Sequence, residues 1–215
     1  ISLPAGTYGA TAEGVPAGYR APAPATVLVA APSPTWITIW VTAIPITGNT
    51  DYVLPVHIVS GKKMVEFSCA RCTGYTSVTA KGPNGASDLL VSEVGAYPLG
   101  RSVVGLLDWD PKSYTSLAIT ANAPWTLRVL DVSSARQVWS TATGTGDDVV
   151  VVNAPGSVAT VSNHGAGYFS IWSRTASGEL DLVASEVGVY WGVVPITAPA
   201  LLQITSDGAW QIDIG

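Results

Sequence analysis

The residues of this sequence best suited to chemistry include an isolated pair of cysteines. Cys69 and Cys72 are the only two cysteines in the 215-residue chain. Their spacing allows a disulfide, half of a zinc site or a redox centre. A zinc site would need a second pair of ligands, which the sequence does not supply. A redox motif of this spacing belongs at the start of a helix in an α/β fold, which the sequence does not predict. We therefore predict a disulfide that stiffens a hairpin loop, as is common in exported proteins.

Tryptophan supplies the second group of candidates, with eight copies in the chain. Trp36, Trp125 and Trp210 recur in register between repeated segments, so we predict that these three lie in hydrophobic cores. Trp109 differs, because Asp108 and Asp110 flank it and a proline follows, which is typical of an exposed loop tip. Exposed aromatic rings beside carboxylates bind sugar rings or protein surfaces. Trp109, Asp108 and Asp110 are therefore the first candidate ligand-binding residues.

Three more aromatic residues complete the candidate ligand-binding set. Trp191 follows Tyr190 directly, so one ring of this pair should face outward from a strand. Tyr75 and Tyr168 occupy equivalent positions in a repeated Gly-Tyr-x-Ser motif. We expect Trp191, Tyr75 and Tyr168 to contribute to recognition.

Catalysis needs convergent titratable groups, and few are present. The two histidines, His57 and His164, fall at non-equivalent positions. The chain has no nucleophile elbow, His-Glu-x-x-His motif or phosphate-binding loop. The repeated Ser-Glu-Val-Gly-x-Tyr motif contains Glu93 and Glu186, but the glycine two residues later predicts a bend with the glutamate as a turn residue. We predict that the protein is not an enzyme and uses no cofactor or metal.

Charge and hydropathy exclude two classes of partner. The net charge is −5 and the few basic residues are scattered, whereas binding to a phosphate backbone requires clustered Lys and Arg. The most apolar region, 26–46, is interrupted by prolines and never reaches the ~18 consecutive apolar residues of a membrane span. We therefore expect neither nucleic-acid binding nor a transmembrane segment. The start at Ile1 and the composition predict an exported protein, secreted or displayed on a cell or virion surface.

An internal repeat organises the chain. Residues 74–97 and 167–190 align without a gap, and 11 of the 24 positions are identical. Tyr97 stands 28 residues before Trp125, whereas Tyr190 stands 20 before Trp210, so the earlier copy carries an eight-residue insertion. A partial third copy precedes both. The sequence therefore predicts a partial repeat (1–45), a first full module (46–130) and a second full module (131–215).

The periodicity of the modules predicts the fold class. Short runs rich in β-branched residues alternate with Gly-rich turns, and no helical period is sustained. In the last run, Trp210, Ile212 and Ile214 face one way, and Gln211 and Asp213 face the other. We predict an all-β protein with two tandem β-sandwich or jelly-roll-like modules preceded by a half module.

The full modules resemble a known class. Their Gly/Asp-rich opening (144–148), central Gly-Tyr-Phe-Ser (167–170), late Gly-x-Tyr and closing Asp-Gly-x-Trp-x-Ile-x-Ile resemble small jelly-roll modules at the C-termini of secreted bacterial proteins, of the pre-peptidase C-terminal type. The resemblance implies an extracellular accessory or adhesion module. The aspartates that can hold calcium in such modules are reduced here to Asp51 in one copy and to Asp147 and Asp148 in the other, so calcium binding stays open.

Two functions remain in competition after these exclusions. The first is a non-catalytic binding or adhesion module for a cell-envelope or extracellular glycan, or for a surface protein. The alternative is a structural subunit of a filament, virion or surface layer, assembled by β-strand exchange. In that case residues 1–45, which include an apolar run at 36–41, would add strands to their own first module or to a neighbouring chain. A homo-oligomer formed through residues 1–45 is the partner that this alternative predicts.

Overall fold

Alternating apolar and polar residues form β-strands over most of the chain that the structure describes. The computed structural model describes residues 6–10, 25–29, 45–154 and 158–215. Residues 1–46 form one unit and residues 47–215 another. Apart from the strands, the helical segments of the described residues are two 3-10 turns, Pro83–Gly85 and Val132–Ser134. The predicted all-β fold class is confirmed.

The strands up to the middle of the chain are as follows: β1 (Gly6–Ala10), β2 (Ala25–Val29), β3 (Ile46–Gly48), β4 (Tyr52–Val59), β5 (Lys63–Cys69), β6 (Tyr75–Lys81), β7 (Ser87–Val94), β8 (Tyr97–Val103), β9 (Ser113–Thr120) and β10 (Trp125–Asp131). Those that follow are β11 (Arg136–Val138), β12 (Thr141–Thr145), β13 (Asp148–Val152), β14 (Val158–Asn163), β15 (Tyr168–Thr175), β16 (Leu180–Val187), β17 (Tyr190–Pro195), β18 (Ala200–Thr205) and β19 (Ala209–Ile214). Within the described ranges, no helix has the length and hydropathy that a membrane crossing would require.

Four sheets follow one repeated topology. Sheet 1 has the order β4-β9-β6-β7, and sheet 2 has the order β3-β10-β5-β8. Sheet 3 (β11-β13-β18-β15-β16) and sheet 4 (β12-β19-β14-β17) repeat these orders strand for strand, with β11 added parallel to β13. Eight strands arranged in two sheets with this connectivity make a jelly roll. We call β3–β10 the first roll and β11–β19 the second roll.

The two rolls have the same core anchor. Trp125 and Trp210 are both buried. Their indole N–H groups donate to the carbonyls of Thr50 (2.8 Å) and Gly146 (2.9 Å). The prediction that these tryptophans are equivalent core residues is confirmed. Trp36, predicted to be the third of the series, lies outside the described residues.

Strand register refines the alignment of the two copies. Thr126 pairs with Ser68, and Gln211 pairs with Ser162, so Cys69 corresponds to Asn163. The gapless sequence alignment places Cys69 opposite Ser162 instead. The difference arises because the loop after Cys69 is one residue longer than the loop after Asn163.

The predicted insertion in the first copy divides between two places. Part of it is a bulge in β8 at Pro98–Leu99, where the register against β5 shifts. The remainder lengthens the loop between β8 and β9, residues 104–112, and the start of β9, which has 8 residues against 6 in β18. The equivalent loop of the second roll is residues 196–199.

The predicted partial repeat is described only through β1 and β2, which pair with each other in an antiparallel two-stranded sheet. Their counterparts in the alignment, β8 and β9, lie in different sheets, where they pair with β5 and with β4 and β6. A half module has no counterparts of those partner strands, so its two strands can pair with each other. The apolar run at 36–41, predicted to add a strand to a sheet, lies outside the described residues.

The two rolls pack against each other through sheets 2 and 3. Met64 and Val103 on the outer face of sheet 2 form one buried cluster with Val149 of sheet 3. Partly buried side chains from both rolls complete this cluster, among them Leu130 and Trp172. Because the inner faces of sheets 2 and 3 are occupied by their own sandwiches, residues 47–215 form a stack of four sheets.

A chain of charged side chains crosses this junction. Arg101 of sheet 2 binds Glu66 of its own sheet (2.8 Å) and Asp148 of sheet 3 (3.2 Å). Arg128 binds Glu66 on one side, and Arg136 binds Asp148 on the other, both at 3.2 Å. Each carboxylate lies between two guanidinium groups, so neither is left as an uncompensated buried charge.

The junction can be tested with two valines at equivalent positions. Val149 is 0% exposed in sheet 3, whereas its counterpart Val53 in sheet 1 is 62% exposed. We expect Val149→Ala to lower the free energy of unfolding in urea by about 2 kcal/mol, from lost burial and the cavity it leaves. Val53→Ala should change it by less than about 0.5 kcal/mol. Equal effects of the two substitutions would contradict the packing of sheet 2 on sheet 3.

Candidate ligand-binding site

The loop between β8 and β9 presents Trp109 to solvent. Its side chain is 81% exposed, the largest fraction among the exposed large hydrophobic residues of the described chain. Leu107 and Asp110 of the same loop are also exposed. The prediction that Trp109 lies at an exposed loop tip is confirmed.

The base of this loop is held firmly by the first roll. Asp88 of β7 accepts the backbone N–H of Gly105 (2.6 Å). The Asp108 carboxylate accepts Lys112 Nζ (2.6 Å) and the hydroxyl of the buried Tyr114 (2.9 Å). Asp108 therefore differs from the expectation of an exposed ligand-binding carboxylate, because it faces inward and fixes the loop. Asp110 is the exposed carboxylate beside Trp109.

The second roll holds the same loop through Arg174 of β15. Its guanidinium donates to the carbonyl oxygens of Leu106 (2.6 Å) and Asp108 (3.1 Å). The Leu106 side chain is buried in the cluster between the rolls. The segment that leads into Trp109 is therefore held by both rolls.

Burial perturbs one carboxyl group at the base of the loop. Desolvation raises the pKa of Asp88, although the Gly105 N–H bond opposes the shift, and Asp108 adds to the rise. Desolvation also raises the pKa of the Tyr114 hydroxyl, and its bond to Asp108 raises it further. Tyr114 therefore stays protonated and donates to Asp108 across the neutral range.

The other candidate residues do not gather around Trp109. Trp191 is exposed on the outer face of sheet 4. Tyr75 and Tyr168 are half-exposed at the starts of β6 and β15, and each hydroxyl lies 3.3 Å from a serine hydroxyl of the next strand. Tyr168 and Arg174 stand six residues apart on one strand, so roughly 20 Å separate Tyr168 from the support of the Trp109 loop.

Tyr168 instead lines a cleft of about 590 Å³ between the two rolls. Glu93, Tyr97, Asp147 and Asp207 contribute to the same cleft. Clefts of this volume between domains can accept small ligands. The Glu93 carboxylate accepts the Val94 N–H (2.9 Å), but Glu93 lies within β7 and pairs with Thr76, so the prediction of a turn residue is wrong and the turn follows at Gly95.

Asp147 is a half-buried acid of this cleft. It accepts the Tyr97 hydroxyl from the first roll (2.7 Å) and the Ser206 N–H from its own roll (3.0 Å). Burial raises the pKa of Asp147, and the negative charge of Glu93 raises it further. The hydrogen bonds from Tyr97 and Ser206 oppose this rise. Burial also raises the pKa of Tyr97, and the charge of Asp147 adds to that rise, so the pair is held by a neutral phenol donor.

The described residues offer little for a metal ion. No group of three or more His, Cys, Asp or Glu side chains within them is arranged to hold one. Asp147 and Asp148, for which the sequence leaves calcium binding open, are engaged by Tyr97 and by Arg101 and Arg136.

The cysteine pair lies at the end of β5. Cys69 and Cys72 form a disulfide with a Cα–Cα separation of 5.5 Å. The Cys72 N–H also donates to the Cys69 carbonyl (3.2 Å). The predicted disulfide is confirmed, and it closes the loop before β6.

Comparisons with known proteins name no relative. The chain matches no known protein family, and no curated protein is similar to it at a significant level.

Arg101 and Arg174, which organise the junction and the loop, were not among the predicted site residues. A change of residue type between the copies is a signal that could have found Arg101, whereas Arg174 corresponds to Lys81, also a cation, and gives no such signal. Arg101 corresponds to Val193 through the pairing of β5 with β8 and of β14 with β17. A residue that differs so strongly between copies has a role that one copy lacks.

The support of the Trp109 loop can be tested by hydrogen exchange. Arg174→Ala removes two donors to loop carbonyls, so we expect at least tenfold faster amide exchange within 104–112, equivalent to about 1.4 kcal/mol of lost local stability. Lys81→Ala, at the equivalent position of the first roll, is the matched control. Unchanged exchange in the Arg174→Ala protein would show that the loop is held by other contacts.

Asp147 predicts a specific pH dependence. Because its folded pKa is raised, its contribution to stability is fully present below the unfolded pKa and is lost as pH rises through the folded pKa. An asparagine side chain cannot ionise, so Asp147→Asn should gain stability relative to the unmodified protein as pH rises above about 4, the ordinary pKa of an aspartate. Urea unfolding across this range measures the difference, with Asp51→Asn at the exposed equivalent position as control. A difference that does not change with pH would contradict the burial of an ionisable Asp147.

Proposed function

We propose that the protein is a non-catalytic extracellular binding module that contacts a cell-envelope or extracellular glycan through Trp109. The observation that carries the proposal is the inserted loop. It is longer than its counterpart in the second roll, it is anchored by both rolls, and it places one large aromatic ring in solvent.

Physical chemistry favours a binding role for such a ring. Leaving a tryptophan exposed forgoes the gain from its burial, about 5 kcal/mol at ~200 Å² and ~25 cal/mol/Å². A rigid ring loses little conformational entropy when a ligand stacks on it, so more of the contact energy remains as affinity. The exposed Asp110 carboxylate can accept hydrogen bonds from sugar hydroxyl groups next to the ring.

The resemblance to jelly-roll modules of secreted proteins and the exported composition support an extracellular location. The Cys69–Cys72 disulfide agrees with an oxidising compartment. The catalytic alternative has little support, because the perturbed carboxyl groups, Asp88 and Asp147, are both engaged in structural hydrogen bonds.

The proposal predicts a selective effect of Trp109→Ala. Affinity for the bound glycan should fall roughly thirtyfold, which corresponds to about 2 kcal/mol for an aromatic hot spot. The melting temperature should hardly change, because the ring makes little buried contact. Binding to insoluble peptidoglycan and to an array of immobilised envelope polysaccharides measures the first effect, and thermal unfolding measures the second.

Trp139→Ala is the matched control, since Trp139 is also largely exposed, at 64%, but lies outside the loop, between β11 and β12. Binding that survives Trp109→Ala, or that Trp139→Ala removes equally, would contradict the proposed site. Absence of binding to every glycan in the array, with binding to intact cells lost in the Trp109→Ala protein, would assign the loop to a surface protein instead.

A further inference from the structure

The four-sheet stack leaves two outer faces that are counterparts of the two faces joined inside the chain. Sheets 1 and 3 are equivalent sheets of the two rolls, and so are sheets 2 and 4. Sheet 2 packs on sheet 3. The outer face of sheet 4 is the counterpart of the outer face of sheet 2, and that of sheet 1 is the counterpart of that of sheet 3. Both faces carry exposed apolar side chains, including Val193 (61%) on sheet 4 and Val53 (62%) on sheet 1.

The two charged residues of the internal junction have uncharged counterparts at the equivalent positions, Val193 on the outer face of sheet 4 and Tyr52 beside Trp125 of the first roll. Arg101 corresponds to Val193, because Arg101 pairs with Glu66 and Val193 with Thr160 at equivalent positions. Asp148 corresponds to Tyr52, from the pairing of β4 with β9 and of β13 with β18. Because both charged residues, Arg101 and Asp148, are replaced by uncharged ones, a contact between sheet 4 and sheet 1 would leave no unpaired charge at these two positions.

A second polar contact changes in the same coordinated way. Val103 donates its backbone N–H to the Gln203 side chain across the junction (2.7 Å). The counterparts are Pro195, which has no N–H, and Ala118, which has no side-chain acceptor. The donor and the acceptor are again both absent, and no polar group is stranded.

In a third contact of the internal junction, both hydrogen-bonding residues have counterparts of the same type on the outer faces. The Tyr97 hydroxyl donates to Asp147 Oδ2, while Asp147 Oδ1 accepts Ser206 N–H. The counterparts are Tyr190 and Asp51, and Asp51 Oδ1 accepts Ala121 N–H in the equivalent way (2.9 Å). Among the described residues the Tyr190 hydroxyl has no hydrogen-bond partner, and Asp51 Oδ2 accepts no hydrogen bond.

From this matching we propose that sheet 4 of one copy docks on sheet 1 of a second copy, repeating between chains the contact that joins the two rolls within one chain. Val53 then enters the centre of the contact as Val149 does inside the chain, and Tyr190 donates to Asp51. The two faces differ, so the contact is heterologous and generates a ring or an open stack instead of a closed pair.

The docking of copies is weaker than the internal junction. In sheet 1, Thr79 occupies the position that Trp172 has in sheet 3. Sheet 1 therefore offers less apolar area for a partner sheet to bury. A weaker contact makes assembly reversible and dependent on concentration. A stack of copies would repeat the Trp109 loop along its side and raise avidity for a repetitive surface. Docking does not depend on the proposed function, since it uses different faces.

The test is sedimentation velocity of the whole chain from about 1 μM to about 1 mM, a span that covers Kd values of weak interfaces. The unmodified protein should show an average sedimentation coefficient that rises with concentration. Val193→Arg and Val53→Arg each place a charge on one face, and each should weaken association at least tenfold. Both positions are exposed, so thermal unfolding of the two variants should match that of the unmodified protein.

An equimolar mixture of the two variants tests whether two different faces are used. The intact sheet 4 of the Val53→Arg protein can dock on the intact sheet 1 of the Val193→Arg protein, whereas the remaining faces both carry arginine. The mixture should therefore associate again but stop at a dimer. Leu107→Arg, in the Trp109 loop, should leave association unchanged.

Three results would overturn the proposal. They are a monomer at every concentration, association that neither Val193→Arg nor Val53→Arg weakens, and a mixture that does not regain the dimer. Glycan binding measured at concentrations where the protein is a monomer stands apart from these outcomes, so failure of the stacking and failure of the proposed function are distinguishable.

Discussion

The packing of sheet 2 on sheet 3 is the interaction on which the rest of this structure depends. It buries the apolar cluster around Met64 and Val149 and aligns Arg101 with Asp148. It also brings Arg174 to the Trp109 loop, forms the cleft between the rolls and partly shields Asp147 from water. A single jelly roll would have none of these features.

Duplication explains how such a junction can arise, because two copies of one sequence begin with identical faces. Divergence then sets the chemistry of each face. Arg101 and Asp148 make the internal contact ionic, whereas Val193 and Val53 leave the outer faces of sheets 4 and 1 apolar and exposed. The insertion in the first copy adds a loop that both rolls support, and this loop is the one on which the proposed function rests.

Much of the fold could be predicted from the sequence, since short-range patterns encode it. The alternation of Trp210, Ile212 and Ile214 predicted β19, and the repeat predicted two equivalent cores. The inward orientation of Asp108 could not be predicted, because it depends on Tyr114 and on a cation four residues away. Arg174 lies 66 residues beyond Asp108 in the chain, and only the packing of the rolls reveals their contact.

The most direct test of the central role of the junction is a double-mutant cycle on Arg101 and Asp148, the pair that joins the two rolls. Urea unfolding would be measured for Arg101→Ala, Asp148→Ala and the double variant. We expect a coupling free energy of about 1 to 3 kcal/mol, as for contacting charges that are partly desolvated. A coupling free energy near zero would show that the two rolls are not held together by this contact.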